Sequence, residues 1–165
     1  MSSDEDFFQW LPEYSVNVQT LDKQHRELVN ILNRLFNAVS GEAGDNTITE
    51  ILDGLVEYTR THFTHEEHLM QKAKYAELEA HKLEHKRLVD QLDQLRKQHL
   101  LEEKSIYFEL LSFLKKWLRE HIMGVDTKYC LVLQQAGFSM AVSEHEASAE
   151  FRAMIEMTGR SWKLW

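Results

Sequence analysis

Turn-forming residues are scarce in this chain: it has one proline, Pro12, and six glycines in 165 residues. That scarcity disfavours a turn-rich β fold and favours long helices. Cysteine occurs once, at Cys130, which excludes an intramolecular disulfide framework. No apolar run approaches the roughly 18 residues that a membrane span needs. Positive charge is also short: 19 Lys and Arg against 27 Asp and Glu leave a formal net charge of −8. Nucleic-acid binding wants a basic face, so that class of partner is excluded. The opening MSSDEDFFQW is acidic and has no basic leader before an apolar core. A cytoplasmic protein is the expectation.

What the chain does have is 43% hydrophobic residues and nine histidines. The first is enough for one domain with a core of its own. Four segments carry helical apolar periodicity, from about Thr20 to Val39, Thr47 to Lys72, Leu78 to Lys97, and Ser105 to His121 or beyond. Thr47 with Glu50 reads as a capping box at the start of the second. Short links between four helices predict an all-α, antiparallel up-down-up-down bundle. The aromatic, non-periodic stretch 6-DFFQWLPEYSVNV-18 predicts an arm packed over it. The bundle is expected over residues 1–130, with the arm over 1–19. Residues 131–165 form a C-terminal extension, predicted to be helical. There Ser143 and Glu146 offer another capping box, and Phe151, Met154, Ile155, Trp162 and Trp165 supply apolar surface. This tail could cover the bundle or serve a protein partner or self-association.

The stretch 61-THFTHEEHLMQ-71 concentrates three histidines and two glutamates. A residue in a helix advances about 100° around the axis. With His62 as origin, Ile48, Ile51, Leu52, Leu55, Leu69 and Met70 fall between roughly −20° and +80°. Glu66, near +40°, lies inside the same stripe. His62 and Glu66 are therefore expected inside. His65 at the stripe's edge, with Glu67 and His68 beyond it, is expected on the rim or surface. His25 shares a stripe with Leu21, Leu28, Leu32 and Phe36. His81 and His85 line up with Leu78, Leu88 and Leu92, and His121 with Leu110, Leu114 and Leu118.

A lone histidine on an apolar face has an ordinary reading as a core imidazole bonded to a backbone carbonyl. Five inward imidazoles and an inward carboxylate do not. Each unsatisfied buried polar group costs on the order of 1–3 kcal/mol, against a net domain stability of roughly 5–15 kcal/mol. They must satisfy one another or share a cation. Five imidazoles exceed one tetrahedral zinc, and two six-coordinate ions bridged by carboxylates fit better. Glu66 is one candidate bridge and Asp126, in 121-HIMGVD-126, the other. In a regular α-helix five residues turn about 140° past a full circle, which aims Asp126 away from His121. The helix must end or distort near Gly124 if Asp126 is to reach the site.

The combination 22-DKQH-25, 62-HFTHE-66, 81-HKLEH-85 and 121-HIMGVD-126 resembles the bacteriohemerythrin branch of the hemerythrin family. The arm 10-WLPEYSVNV-18 and Lys128-Tyr129 are also similar. The likeness covers about residues 10 to 130 and departs in a loop, at Ala76, where the family often has proline. The resemblance implies a non-haem centre of two Fe ions, bridged by an oxo or hydroxo group, that binds O2 reversibly. It implies that His81, His85 and His121 hold one iron, that His25 and His62 hold the other with a position left open for O2, and that Glu66 and Asp126 bridge the pair.

Oxygen carriage, storage or delivery is the expected function, and not an enzyme. Ferritin-like oxidases use carboxylate-rich sites with Glu-x-x-His pairs, and no histidine here has a glutamate three residues before it. Neutral nitrogen donors favour ferrous iron over anionic oxygen donors. Leu28, Leu32 and Leu118 are expected to line the O2 pocket and exclude water. Tyr14, Tyr58 and Tyr129 are candidates for hydrogen bonds to the ligands. The competing readings are an O2 or redox sensor acting through the tail, and a di-iron oxidase or peroxidase.

Overall fold

The computed structural model describes residues 7–41, 44–101 and 107–137, without the side chains of Asp45, Leu100 and Leu101. Five α-helices follow in order: α1 (Gln19–Ser40), α2 (Asp45–Lys72), α3 (Leu78–Leu101), α4 (Tyr107–His121) and α5 (Thr127–Gln135). A 3-10 turn, Pro12–Tyr14, precedes α1, and a π-helical turn, Ile122–Asp126, joins α4 to α5. Among the described residues there is no strand, and no helix is long and apolar enough to cross a membrane. The expected tail residues Ser143, Glu146, Phe151, Met154, Ile155, Trp162 and Trp165 lie outside the described residues.

The predicted four-helix bundle is present. α1 packs on α2 and α4, and α2 packs on α3. Layers of side chains record the direction of each helix. One layer holds Leu28 and Leu88, three residues after His25 and His85, with Thr59 and Leu118, three before His62 and His121. The next holds Leu32 and Leu92, seven after those histidines, with Leu55 and Leu114, seven before. An offset that is positive on α1 and α3 and negative on α2 and α4 means alternating chain direction. Leu28, Leu32, Leu55, Leu88, Leu92, Leu114 and Leu118 are all buried. Each fully buried leucine contributes about 1.5–3 kcal/mol of transfer free energy.

One boundary differs from expectation. α2 begins at Asp45, with Gly44 as N-cap and no side-chain cap. Thr47 and Glu50 therefore lie inside the first turns and form no capping box. The backbone supplies the start instead, because the amides of Thr47 and Ile48 both donate to the Gly44 carbonyl.

The arm packs as predicted, with Phe8, Tyr14, Val16 and Val18 buried. The Phe8 amide donates to Asn33 Oδ1 at 2.8 Å, and Asn33 Nδ2 donates back to the Phe8 carbonyl at 2.9 Å. Asp22, in the first turn of α1, accepts from the Val16 amide at 2.8 Å and the Ser15 hydroxyl at 2.5 Å. The Cys130 thiol donates to the Val16 carbonyl, which ties the arm to α5 as well. The arm is thus pinned along α1, from Asn33 back to Asp22, with Val16 also tied to α5.

Candidate metal centre

Each helix delivers its polar residues by a simple register rule. Residues four apart share a helix face, so α2 presents His62 and Glu66 together and α3 presents His81 and His85. α1 supplies His25 and α4 ends at His121. Asp126 arrives by the predicted distortion. The π turn replaces i→i+4 by i→i+5 hydrogen bonding, which puts residues five apart on one face. Asp126 Oδ1 accordingly lies 3.0 Å from His121 Nε2.

His25, His62, Glu66, His81, His85, His121 and Asp126 are all buried, and the structure brings all seven together. Candidate ligand atoms of Glu66, His81, His85, His121 and Asp126 lie within 4.8 Å of one another, and those of His25, His62 and Glu66 form a second such group. Glu66 belongs to both. Asp126 also reaches across, with Oδ2 3.3 Å from His25 Nε2 and Oδ1 3.7 Å from His81 Nε2. Glu66 Oε2 lies 3.1 Å from His85 Nε2, 3.5 Å from His81 Nε2 and 4.0 Å from His62 Nε2.

These approaches are close enough for ion pairs, yet most are not aligned as hydrogen bonds. His25 Nδ1 and Nε2, His81 Nε2, Glu66 Oε2 and both Asp126 oxygens have no hydrogen-bond partner. A buried carboxylate left this way is expensive, and several in one place are more so. The donor set is five imidazole nitrogens and two shared carboxylates, converging from four directions. That fits two metal ions and fits no protein-only hydrogen-bond network.

The electrostatics point the same way. Burial pulls His85 down, but the Glu66 carboxylate 3.1 Å away and the hydrogen bond to Glu67 outweigh that and push it up to about 9. Burial likewise opposes ionisation of Asp126, yet His121 and His25 bring it down to about 2. Burial is opposed in the same way at Glu66, which His81 and His85 hold well below the usual carboxylate range. His62 is different: burial dominates and lowers it to about 3. The cluster demands positive charge between its carboxylates, and His62 will not supply it as a proton.

Around this set is a ring of contacts that helical periodicity did not reveal. Gln24 is buried beside His25. Its Oε1 accepts from His62 Nδ1 at 2.8 Å, and its Nε2 lies 2.9 Å from His65 Nδ1. Glu67 Oε1 accepts from His85 Nδ1 at 2.7 Å. Both contacts put the proton on Nδ1 and leave Nε2 facing the centre. The Tyr129 hydroxyl, one of three tyrosine candidates, donates to Glu66 Oε1. Phe63 stacks on His85 with centroids 3.6 Å apart, and Trp117 on His121 at 4.5 Å. The signals for Gln24 and Glu67 were adjacency alone, each being the polar neighbour of a predicted ligand.

One expected position needs correction. His65 is fully buried, not on the rim, because α1 covers that flank of α2 with Gln24. Glu67 and His68 are half-buried, on the rim as expected. His99 pairs with Thr49 at 2.9 Å, bridging α3 and α2 away from the centre.

Leu28, Leu32 and Leu118 line a cavity of about 20 Å³, together with Leu55, Thr59, Leu88, Leu92, Leu114 and Trp117. Its lining starts one turn from His25, His62, His85 and His121. An apolar cavity of this size has room for one water-sized molecule but too few polar partners to hold a water.

The chain matches the family described as Hemerythrin HHE cation binding domain over residues 16–130. It belongs to the hemerythrin family. Among hemerythrin relatives, the bacteriohemerythrin of Methylococcus capsulatus (strain Bath) is 36% identical over 118 residues, covering 71% of this chain and 88% of that one. The bacteriohemerythrin of Pseudomonas aeruginosa (strain PAO1) is 29% identical over 150 residues, covering 91% and 97%. The myohemerythrin of Theromyzon tessulatum is 30% identical over 122 residues, covering 74% and 90%. A crystal structure of wild-type hemerythrin superposes with a TM-score of 0.72 at 33% identity, covering 77% of this chain and 98% of that one. The four-helix bundle is thus that of a hemerythrin, and it encloses a buried His, Glu and Asp cluster suited to metal ions.

Proposed function

We propose that this hemerythrin binds O2 reversibly at a non-haem di-iron centre whose ligands are His25, His62, Glu66, His81, His85, His121 and Asp126. It acts as an oxygen carrier, store or delivery protein and not as an enzyme, as its family implies. The observation that carries this reading is the convergence of five buried imidazoles on two buried carboxylates whose facing oxygens lack protein partners.

In this assignment His81, His85 and His121 hold one iron and His25 and His62 the other. Glu66, which belongs to both groups of ligand atoms, and Asp126, whose Oδ2 lies 3.3 Å from His25 Nε2, would contribute to both. Bound iron supplies the reversible electron exchange with O2. The protein's own residues do the rest. Five neutral nitrogens against two carboxylates keep the donor set weakly anionic, which favours the ferrous state. Gln24 and Glu67 hold His62 and His85 with their protons turned away from the centre. Tyr129 satisfies the Glu66 oxygen Oε1 and so orients Oε2 toward the imidazoles. The apolar cavity under Leu28, Leu32 and Leu118 admits a small neutral molecule and withholds the protons and water that would displace a bound anion.

Metal analysis combined with optical spectra under O2 and under argon tests the proposal. The expected result is about two irons per chain, in line with the two ligand groups, and a spectrum that changes reversibly as the gas is cycled. A colourless protein from iron-replete growth, or a single irreversible change in air, overturns it.

A further inference from the structure

His65 lies in neither group of ligand atoms, yet it is fully buried. Its Nδ1 faces the side-chain amide of Gln24, 2.9 Å from Nε2 and 3.4 Å from Oε1. The shorter contact is with the amide nitrogen, which can only donate. His65 Nδ1 is therefore the acceptor. The other end of the same amide, Oε1, is 2.8 Å from His62 Nδ1 and can only accept there. One planar group thus connects two imidazoles, and its orientation sets both tautomers at once. With Oε1 toward His62, the His62 proton sits on Nδ1 and Nε2 carries a lone pair. With the amide turned over, the proton must move to Nε2, the nitrogen on the Glu66 side.

We infer that His65 is a positioning residue: by accepting the Gln24 amide N–H, it turns the amide oxygen toward His62 and holds His62 in its metal-binding tautomer. The inference rests on the di-iron reading above. It adds a residue that touches no metal and works through two others. Removing the acceptor leaves the Gln24 amide free to invert, so a share of the chains carries His62 in the wrong tautomer. Loss of a contact of this kind costs about 10–100-fold in metal affinity, and here the loss falls on the His25 and His62 group alone.

The test compares iron retention in the iron-loaded full chain under a chelator challenge, with folding monitored by circular dichroism. His65→Phe keeps a ring and removes the nitrogens, and His65→Leu serves as a second non-accepting variant of smaller size. Both are expected to lose one of the two irons roughly tenfold faster than the unsubstituted protein. The decisive arm adds Gln24→Glu to each variant. A carboxylate offers His62 Nδ1–H an acceptor whichever way it turns, so the double variants are expected to recover the slow iron loss. Retention in the single variants equal to the unsubstituted protein overturns the proposal. So does a double variant as leaky as its parent, because a purely structural defect at position 65 is not repaired by a charge at position 24. If the unsubstituted protein does not hold two irons, the di-iron reading fails instead, and the two failures are distinguishable.

Discussion

Asp126 Oδ1 lies 3.0 Å from His121 Nε2 although the two are five positions apart along the chain. The π turn Ile122–Asp126 creates this contact, and its cause is not Gly124. A Cβ at Gly124 meets nothing within 4 Å, and the backbone there is not in the left-handed region. The register is set by the burial of residues on its C-terminal side, since Asp126 and Tyr129 both lie fully inside. Gly124→Ala is expected to keep the iron content and to raise stability by up to about 1 kcal/mol through helix propensity. An alanine inserted after Gly124 is expected to turn Asp126 away by about 100° and to lower iron content. Iron per chain and thermal melting check both.

Tyr129 and Glu66 make a buried contact in which the hydroxyl is donor to a fully buried carboxylate. Tyr129→Phe keeps the ring and strands Glu66 Oε1. The expected loss is about 1–3 kcal/mol of folding free energy, measured by denaturant unfolding, with faster release of iron to a chelator. Unchanged values for both quantities would remove Tyr129 from its assigned role.

The cavity lining makes a separate prediction. Leu118→Ala enlarges a space of about 20 Å³ beside the ligands. Truncation of a buried leucine to alanine destabilises by about 2–5 kcal/mol. The larger space also admits water, so the O2-dependent spectrum is expected to decay sooner in air. The melting temperature and the lifetime of that spectrum report the two effects independently.

Stripped of metal by chelation, the protein should be most stable near pH 6.5, and the signs come from two histidines. His85 is raised from 6.5 to about 9. Its stabilisation is fully present below its unfolded value and is lost as pH rises through about 9, a change of roughly 3 kcal/mol. His62 is lowered from 6.5 to about 3. Its neutral form is an advantage above the unfolded value that is lost as pH falls toward about 3. Iron loading should remove the alkaline decline, because metal then takes the place of the His85 proton. Unfolding free energies across pH 4 to pH 10, with and without iron, give the comparison, and a metal-free protein whose stability rises from pH 6.5 to pH 9 would contradict the assignment.

Helical periodicity alone determined the bundle and most of the centre. His25, His62, Glu66, His81, His85 and His121 sit among leucines at helical spacing, and a residue on an apolar stripe has nowhere to point but inward. The same arithmetic required a distortion before Asp126 could join them, and the π turn supplies it. Periodicity could not decide the flanks. His65 stands at the edge of its stripe, where burial depends on which neighbouring helix covers it, and α1 covers it with Gln24. Gln24 and Glu67 sit about 100° from His25 and Glu66 on their own helices. Their partners, His62 and His85, lie on other helices. The tautomer of a ligand, the orientation of an amide and the volume of a cavity are relations between elements. A single helix's sequence fixes its own faces, and only packing decides what each face meets.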